Sequence, residues 1–411
     1  MRVLLINDKL DPNGGSQLLT LNIRDGLRGR GHDVRVLASG AGLSNDDPQP
    51  EYRCAGAGGI RQTLQRVTHP GAVRVMRTAL REFRPDVVHI RAMLTQLSPA
   101  ILPLIDRLPV LYHAVMPELT CPKATRLLPS GNPCTFTAGR ACREHCLTAP
   151  THAALTVQRM LTRRWWNRID RVIANSAWLA DEITSAGFGP AEVVHNAVPD
   201  TGVRAGLAAE PTAALVARLS SEKGVDTALA AWSKVLDQVP EARLRVIGDG
   251  PERTRLESQA RELGLSGSVD FLGQVSASVL PKTLEGSWLQ LVPSRWHEPF
   301  GLVAAEALMR GVPVLASAMG GLCEIVRDGV TGRLLPPDEA ALWSTAAAEL
   351  LRDRARCEHW GAAARQDALE RFAMPRLLDK LEATYADLLQ GTALGPEALG
   401  ISEQAIKATQ P

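Results

Sequence analysis

The sequence predicts an α/β protein with two doubly wound domains that face a central cleft. The chain opens with an apolar run, a polar loop containing two glycines and an amphipathic segment, which together predict a β-loop-α unit over residues 2–30. A second series of apolar runs and amphipathic segments starts near residue 211. The 411 residues suffice for two domains, each with a core of its own.

The first series of elements occupies residues 1–200. Leu19, Ile23 and Leu27 recur every four residues and predict the first helix, over residues 16–30. Short apolar runs predict strands over residues 2–7, 34–38, 87–90, 110–113, 171–174 and 193–195, with further helices over 73–83 and 178–186. Because helices alternate with strands, we expect a parallel sheet with helices on both faces.

The second domain is predicted over residues 201–373, and its series of elements starts near residue 211, at the end of a polar linker over residues 199–211. The predicted strands are 213–217, 243–248, 269–272, 289–293 and 314–317, and the predicted helices are 226–239, 251–263 and 302–310. An amphipathic helix over 374–390 is expected to return to the first domain, and residues 391–411 to form a frayed tail. Ligands of open α/β sheets bind beyond the carboxyl ends of the strands, so both domains would present those ends to the cleft.

Composition narrows the function classes. The net charge of +2 argues against a nucleic-acid-binding protein that works through its overall field. Residues 1–200 carry 24 Lys/Arg and 17 Asp/Glu. This half could therefore face an anionic acceptor or make a peripheral contact with the inner membrane surface, although solvated Arg-rich helices are the simpler explanation. The opening MRVLLIND is too short for a signal peptide, and no run approaches the ~20 apolar residues of a membrane span, so we expect a cytoplasmic protein.

Two carboxylates lie eight positions apart in EPFGLVAAE, residues 298–306. Glu306 lies about one turn into the predicted helix, where a carboxylate can accept hydrogen bonds from two neighbouring hydroxyls of a ribose. Glu298 precedes the helix and would reach hydroxyls of another sugar, while the amides of Phe300, Gly301 and Leu302 can point at an anion. The alternatives are a carboxylate that suits the helix dipole, for Glu306, and a solvated loop carboxylate, for Glu298.

A basic pair, Arg218 and Lys223, lies upstream in VARLSSEKG, after one predicted strand and before the next helix. Two fixed cations suit a diphosphate leaving group, because its negative charge grows as the glycosidic bond breaks. The alternative is a surface salt bridge with Glu222, worth ~0–1 kcal/mol. Gly14 and Gly15 end the first loop and would let backbone amides approach a phosphate or an acceptor.

Further segments extend this pattern along most of the chain. They are NGG in the first loop, then DVVHIRA, RVIANSAWLA and VVHNAVP, and in the second series VARLSSEKG, VIGDGPE, FLGQV, EPFGLVAAE and GLCEIVRDGVTGRLLPP. In this order they resemble the retaining glycosyltransferases of family 4, whose GT-B fold has two Rossmann-like domains facing a cleft. The resemblance covers roughly residues 1–390. Each segment is weak alone, but the ordered set is highly specific.

The resemblance implies a role for each of the residues above. Glu306 would hold the nucleotide ribose, Glu298 the donor sugar, and Arg218 and Lys223 the diphosphate. Further donor contacts would come from Gly14, Gly15, Phe300, Gly301 and Leu302, and, around the nucleobase, from Gly248, Asp249, Gly250 and residues 271–275. The resemblance also implies that His113 lies near the donor sugar and joins Glu298, Arg218 and Lys223 in catalysis. Ala114 follows it where relatives often have Asp, and a buried core histidine is the alternative.

The implied activity is a transfer that retains the anomeric configuration. A sugar would pass from a nucleotide-diphosphate-sugar donor to a hydroxyl of a saccharide, a lipid-linked or a small-molecule acceptor, forming an α-glycosidic bond. The family requires no metal or other cofactor for transfer. The alternatives are another GT-B enzyme, such as a sugar-nucleotide epimerase, and a non-catalytic nucleotide-sugar-binding protein.

Four of the seven cysteines, Cys121, Cys134, Cys142 and Cys146, fall within 26 residues. Thiolates at such intervals could hold a structural zinc ion, with His145 as a substitute ligand, although the spacing is looser than usual. An iron–sulfur cluster, disulfides and free thiols are the alternatives. Since this loop follows His113, we expect it to overhang the acceptor side of the cleft.

Basic residues flank two tryptophans in Arg163, Arg164, Trp165, Trp166 and Arg168. Such a segment suits a helix on a membrane surface, but it also suits a helix that packs its tryptophans against the fold. We favour packing.

Overall fold

The computed structural model describes residues 1–11 and 14–393 and confirms the predicted α/β class. Within these residues the strands form two parallel sheets. The first contains β1 (Arg2–Lys9), β2 (Asp33–Ser39), β3 (Tyr52–Cys54), β4 (Val87–Ile90), β5 (Val110–Ala114), β6 (Arg171–Ala174) and β7 (Glu192–Val193). The second contains β8 (Thr212–Val216), β9 (Arg243–Ile247), β10 (Val269–Gly273), β11 (Leu289–Val292), β12 (Val314–Ser317) and β13 (Gly332–Leu335).

Both sheets are doubly wound. The strand orders are β3-β2-β1-β4-β5-β6-β7 and β10-β9-β8-β11-β12-β13. In each sheet the order reverses beside the first strand of its series, between β1 and β4 and between β8 and β11. Ligand crevices form at such switch points, outside the carboxyl ends of the strands.

The helices fill the connections between strands. They are α1 (Gly15–Gly29), α2 (Gly59–Val67), α3 (Pro70–Phe83), α4 (Arg140–His145), α5 (Ala149–Trp165), α6 (Ala177–Ser185), α7 (Val225–Leu236), α8 (Arg253–Glu262), α9 (Leu280–Thr283), α10 (Leu302–Met309), α11 (Leu322–Ile325), α12 (Ala340–Leu351), α13 (Arg354–Arg371) and α14 (Met374–Ala393). No helix among the described residues combines the length and the apolar character that crossing a membrane requires.

Every predicted strand is present, with ends that differ by no more than two residues. The sequence did not reveal β3 and β13, which have only three and four residues and each contain an arginine. Of the predicted tail, residues 391–393 belong to α14 and the remainder lies outside the described residues.

The last helix packs against the first sheet. Leu381 and Tyr385 of α14 are fully buried in a cluster with Val3 and Leu5 of β1. The Tyr385 hydroxyl lies 2.6 Å from Nδ1 of His89 on β4, across 296 positions of sequence. The chain therefore completes the core of its first sheet with its final described helix.

Two tryptophans of the basic segment are packed inward, which confirms the favoured interpretation. Trp165 and Trp166 contact the core of the first sheet. Trp166 donates from Nε1 to the carbonyl oxygen of Phe188 over 2.7 Å, and its ring meets Tyr112 with centroids 5.1 Å apart.

Contacts between the two halves surround the cleft. Glu324 of α11 accepts a 2.8 Å hydrogen bond from the amide of Ala177, at the start of α6, and lies 3.0 Å from Nε2 of His195. Trp178 of α6 stacks on His297 with ring centroids 5.1 Å apart. Glu324 thus caps a helix of the opposite half.

Candidate functional site

A cavity of about 630 Å³ lies between the two halves, in the size range typical of small-molecule sites. The first half supplies the start of α1 and the ends of β5 and β6, and the second half supplies the ends of β8, β9 and β11 and the start of α10. Of the predicted site residues, the cavity is lined by Gly15, Arg218, Lys223, Gly248, Glu298, Phe300, Gly301 and Leu302. The fold therefore gathers most of the predicted donor contacts in one place.

Lys223 and Glu298 form an ion pair inside this cavity. Nζ of Lys223 lies 2.6 Å from Oε1 of Glu298, although the residues are 75 positions apart. Ser294 donates to the same oxygen over 2.8 Å. The alternative partner considered for Lys223, Glu222, instead accepts a hydrogen bond from the Ser220 hydroxyl.

The Glu298 carboxylate is buried and ionised. Burial alone would raise the pKa of Glu298, but the charge of Lys223 and the hydrogen bonds from Lys223 and Ser294 outweigh it, and the pKa is lowered. The side chain therefore presents a fixed negative charge, which can accept hydrogen bonds from sugar hydroxyls. Since Lys223 also lies over the Trp296 ring, 5.0 Å from its centroid, the cation is held from two sides.

Arg218 follows β8 and extends into the cavity. Its side chain is exposed and makes no hydrogen bond or ion pair with any residue that the structure describes. An arginine without a carboxylate partner at a cavity wall is available to bind an anion bidentately.

The start of α10 faces the same space. Gly301 has φ +108, a conformation that favours glycine, and a Cβ there would meet Leu322 Cδ2 at 2.6 Å. The amides of Gly301 and Leu302 have no hydrogen-bond partner among the described residues. Free amides at a helix N-terminus suit an anion, and the helix dipole adds to the attraction.

The start of α1 lies opposite. Gly15 and Ser16 line the cavity, and a Cβ on Gly15 would lie 2.7 Å from Leu302 Cδ1 across the cleft. The Gly14 amide already donates to the carbonyl of Asp11 over 3.3 Å, and Gly14 does not line the cavity. Asn13 of the predicted loop lies outside the described residues.

Apolar residues of the second half form another part of the lining. They include Ile247 and Val275, with Leu280 at the start of α9, and Gly248 and Asp249 line the cavity as well. These residues include part of the segments expected around a nucleobase, residues 248–250 and 271–275, and Gly250 is not among the lining residues. A planar base would find apolar contacts here.

Glu306 is not among the residues that line the cavity, which include Val303 one turn earlier in α10. Its side chain is partly buried, and desolvation raises the pKa of Glu306 to about 7. No ion pair involves it among the described residues. A ligand hydroxyl that reached this carboxylate would find an acceptor without a competing partner.

His113 is not brought to the cavity wall. The side chain is completely buried on β5 and stacks on His89, with ring centroids 5.4 Å apart. Neither ring nitrogen of His113 has a hydrogen-bond partner among the described residues. Burial lowers the pKa of His113 well below its ordinary value, and Arg91 and His89 lower it further, so the ring is neutral at pH 7.

Several cavity residues were not foreseen. Asn175 and Asn196 follow β6 and β7, are nearly fully buried, and line the cavity from the first half. Ser294 and Trp296 contact the Lys223–Glu298 pair. The two asparagines lie within the segments RVIANSAWLA and VVHNAVP, so their position after a strand was the available signal.

The four clustered cysteines lie around a separate small cavity, and no group of three His, Cys, Asp or Glu side chains in the described part of the chain is arranged to hold a metal ion as it stands. All seven cysteines are free thiols. His145 stacks on Phe136 and does not line that cavity.

Two family models divide the chain between them. The model described as Glycosyltransferase Family 4 matches residues 13–201, and Glycosyl transferases group 1 matches residues 203–367.

Curated relatives are similar over different spans. A glycogen synthase of Mycobacterium tuberculosis is 31% identical over 341 residues, which cover 79% of this chain and 74% of that protein. A D-inositol 3-phosphate glycosyltransferase of Corynebacterium aurimucosum is 36% identical over 43% of each chain. An exopolysaccharide phosphotransferase of Streptomyces coelicolor is 32% identical over 52% of this chain, and the chain spans only 22% of it.

Solved structures share the fold. A sucrose-phosphate synthase from Thermosynechococcus elongatus superimposes with a TM-score of 0.73 and 20% identity, over 95% of this chain and 100% of that one. The HepE protein of Anabaena, solved with UDP and glucose, gives a TM-score of 0.68 and 22% identity over 94% and 99% of the two chains. The arrangement of the two sheets is thus the GT-B fold.

Proposed function

We propose a sugar-transfer function for this chain, which belongs to glycosyltransferase family 4. It would move a sugar from a nucleotide-diphosphate donor to a hydroxyl group of an acceptor. The observation that carries the proposal is that one cavity is lined by Arg218, whose side chain has no partner among the described residues, by the Lys223–Glu298 pair and by the start of α10. A diphosphate binds to cations and amide N–H groups, and sugar hydroxyls bind to a fixed hydrogen-bond acceptor such as a carboxylate. This cavity contains both kinds of group.

Each part of the nucleotide-sugar donor would then be bound by a residue of the second half. Arg218, Lys223 and the amides of Gly301 and Leu302 would bind the diphosphate, and Glu298 would accept from hydroxyls of the sugar. Glu306 would accept from the ribose, and the apolar residues around Gly248 would hold the base. The Anabaena protein of the same fold was solved with UDP and glucose, which makes a uridine donor the first to test.

The proposed reaction retains the anomeric configuration. The bond from the anomeric carbon to the diphosphate oxygen breaks, and the acceptor oxygen bonds to that carbon on the same face. The acceptor proton passes to the leaving phosphate oxygen, so the products are a nucleoside diphosphate and an α-glycoside. Glu298 has no nucleophilic role in this scheme, because the acceptor oxygen attacks the anomeric carbon directly, and Lys223 and Ser294 fix its carboxylate through Oε1. Arg218 and Lys223 would stabilise the growing charge of the leaving group.

The acceptor would enter from the first half of the molecule. Asn175 and Asn196 provide amide groups on that wall, and the Oδ1 atom of each has no partner among the described residues. Neutral amides of this kind suit hydroxyl groups, so we propose a saccharide, a lipid-linked saccharide or a small polyol as the acceptor class.

The test is a turnover screen with UDP-, GDP-, ADP- and dTDP-sugars, followed by NMR to identify the anomeric form of the product. We expect one preferred donor and an α-linked product. Replacement of Arg218, Lys223 or Glu306 by alanine should lower the rate roughly 10²–10³-fold, as loss of one preorganised contact does elsewhere. Arg261→Ala removes an exposed arginine outside the cavity and should leave the rate unchanged.

The same screen separates the alternatives. Isomerisation of the donor without an acceptor would indicate an epimerase, and donor binding without turnover on any acceptor would indicate a binding protein. Full activity in all three alanine variants would refute the assigned site.

A further inference from the structure

The loop between β5 and α5 contains a long segment without a core. Across residues 121–148, all of which the structure describes, Ala124 is the one buried residue. The regular structure here consists of the six-residue α4 and an isolated bridge between Leu127 and Pro133. Structureless stretches beyond about 12–15 residues are uncommon in compact domains and usually have a function or a cross-link. Apolar burial therefore does not account for the fold of this segment.

Four cysteines of the segment share one small cavity instead, although their side chains in the described structure are not arranged to hold a metal ion as they stand. Cys121, Cys134, Cys142 and Cys146 all line one enclosed cavity of about 20 Å³. They come from three different parts of the segment, the turn after β5, the far side of the 127–133 bridge and α4 with its C-terminus.

The surroundings of the cavity suit bound thiolates. The amide of Arg126 donates a hydrogen bond to Sγ of Cys121 over 3.4 Å, and this contact would orient the sulfur toward a bound ion. Lys123 lines the cavity and supplies a positive charge. Four thiolates around a divalent ion carry a net charge of −2, which a neighbouring lysine reduces.

We propose that Cys121, Cys134, Cys142 and Cys146 bind one Zn²⁺ ion, and that this ion holds the segment 121–148 in its folded form. The four thiols release four protons as the ion binds, and the sulfurs move inward from the cavity wall to a tetrahedral arrangement. Zinc is favoured because four sulfur ligands suit it.

The ion would act on the cleft through Arg126. This residue pairs with Glu182 of α6, with Nε 2.8 Å from Oε2, and both side chains are largely buried. The same helix contributes Trp178, which stacks on His297 beside Glu298. A metal that fixes Cys121 would therefore fix Arg126 and, through Glu182, the helix that borders the cleft.

The test begins with the metal content of the full chain, purified in reducing buffer without an immobilised-metal column. We expect about one zinc per chain in the wild type and in Cys323→Ser, which removes an exposed cysteine outside the cluster. Cys142→Ser and Cys146→Ser should lose the zinc. Cobalt substituted into the wild type should give the thiolate charge-transfer and tetrahedral d–d absorption bands.

A second measurement keeps the proposal testable if the serine variants do not fold. Removal of zinc from the wild type by a chelator should expose four additional reactive thiols and speed tryptic cleavage within 121–148 at least about tenfold, while far-UV circular dichroism stays constant. Absence of zinc with four reactive thiols in the untreated protein would overturn the proposal. So would disulfides found by mass spectrometry, or iron with acid-labile sulfide.

Discussion

At the scale of the residue, two glutamates eight positions apart experience opposite environments. Glu298 is held by Lys223 and Ser294, and its pKa is lowered. Glu306 lacks such partners, and desolvation raises its pKa to about 7. A pair of carboxylates whose pKa values are pushed apart in this way is typical of functional sites. The two residues should therefore affect stability in opposite directions as the pH changes.

The Glu306→Gln variant should not show the decrease in stability that the wild type shows as the pH rises. The pKa of Glu306 is about 7 in the folded chain against an ordinary 4.5. The contribution of Glu306 to the free energy of unfolding is therefore fully present below about pH 4.5 and is lost as the pH rises through about 7. We expect the variant to match the wild type near pH 4.5 and to exceed it by about 1–3 kcal/mol at pH 8.

Urea unfolding of both proteins across this pH range measures the difference. Glu241→Gln is the matched control, because Glu241 is exposed and has no ion pair among the described residues. Parallel stability curves for the wild type and Glu306→Gln would contradict the expectation.

At the scale of the element, two helix N-termini face one another across the cleft. The starts of α1 and α10 approach so closely that Gly15 has no room for a Cβ beside Leu302. Each helix presents free amides to the same space, and their dipoles add there. A long side chain at either position would enter the space where we propose that the diphosphate of the donor binds.

Gly301→Ala should weaken nucleotide binding as well as stability. The φ of +108 strains any residue with a Cβ, at a cost of about 1–3 kcal/mol. A Cβ would also push against Leu322 and shift the amides that face the cavity. We expect the affinity for UDP to fall roughly tenfold or more, which corresponds to about 1.4 kcal/mol.

Gly264→Ala provides the control for this change. Gly264 also has a positive φ, +72, but a Cβ there meets nothing within 4 Å, and it lies outside the cavity. Thermal unfolding should reveal strain in both variants, and calorimetric titration should detect weaker binding in Gly301→Ala alone. Equal affinities in the two variants would refute a role for the start of α10 in binding.

At the scale of the whole molecule, the chain crosses twice between its halves. The segment between β7 and β8 leads into the second sheet, and α14 returns to pack on the first. The backbones of the two crossings meet where the amide of Val198 donates to the carbonyl of Phe372 over 2.9 Å. This hydrogen bond ties the two crossings to each other.

Tyr385→Phe should destabilise the attachment of α14. The Tyr385 hydroxyl forms a hydrogen bond with Nδ1 of His89, and Nε2 of that ring has no hydrogen-bond partner among the described residues. Without the hydroxyl a fully buried imidazole would have no hydrogen bond, at a cost of about 1–3 kcal/mol.

Urea unfolding measures this cost, and Tyr52→Phe is its control. The hydroxyl of Tyr52 accepts a 3.2 Å hydrogen bond from Arg35 in a less buried setting, so its loss should cost less than about 1 kcal/mol. If Tyr385→Phe were as stable as the wild type, the hydrogen bond between Tyr385 and His89 would contribute nothing measurable to the attachment of α14.

The order of the elements follows from the sequence. Strands of a parallel sheet are buried on both faces and appear as short apolar runs, so each predicted strand was present. The strand-end positions of Arg218, Glu298 and Gly301 identified the cleft for the same reason, since chain order and strand direction fix which edge a residue reaches. These features are local, and local periodicity determines them.

The tertiary structure determined which side chains pair with or contact one another. Lys223 pairs with Glu298 rather than with the adjacent Glu222, because the second sheet brings β8 next to β11. His113 points into the core instead of the cleft, and Glu306 lies one turn behind the cavity wall. Successive side chains of a strand point to opposite faces of the sheet. The sequence therefore places a residue at an edge of the sheet, but only the packed structure determines which residues its side chain contacts.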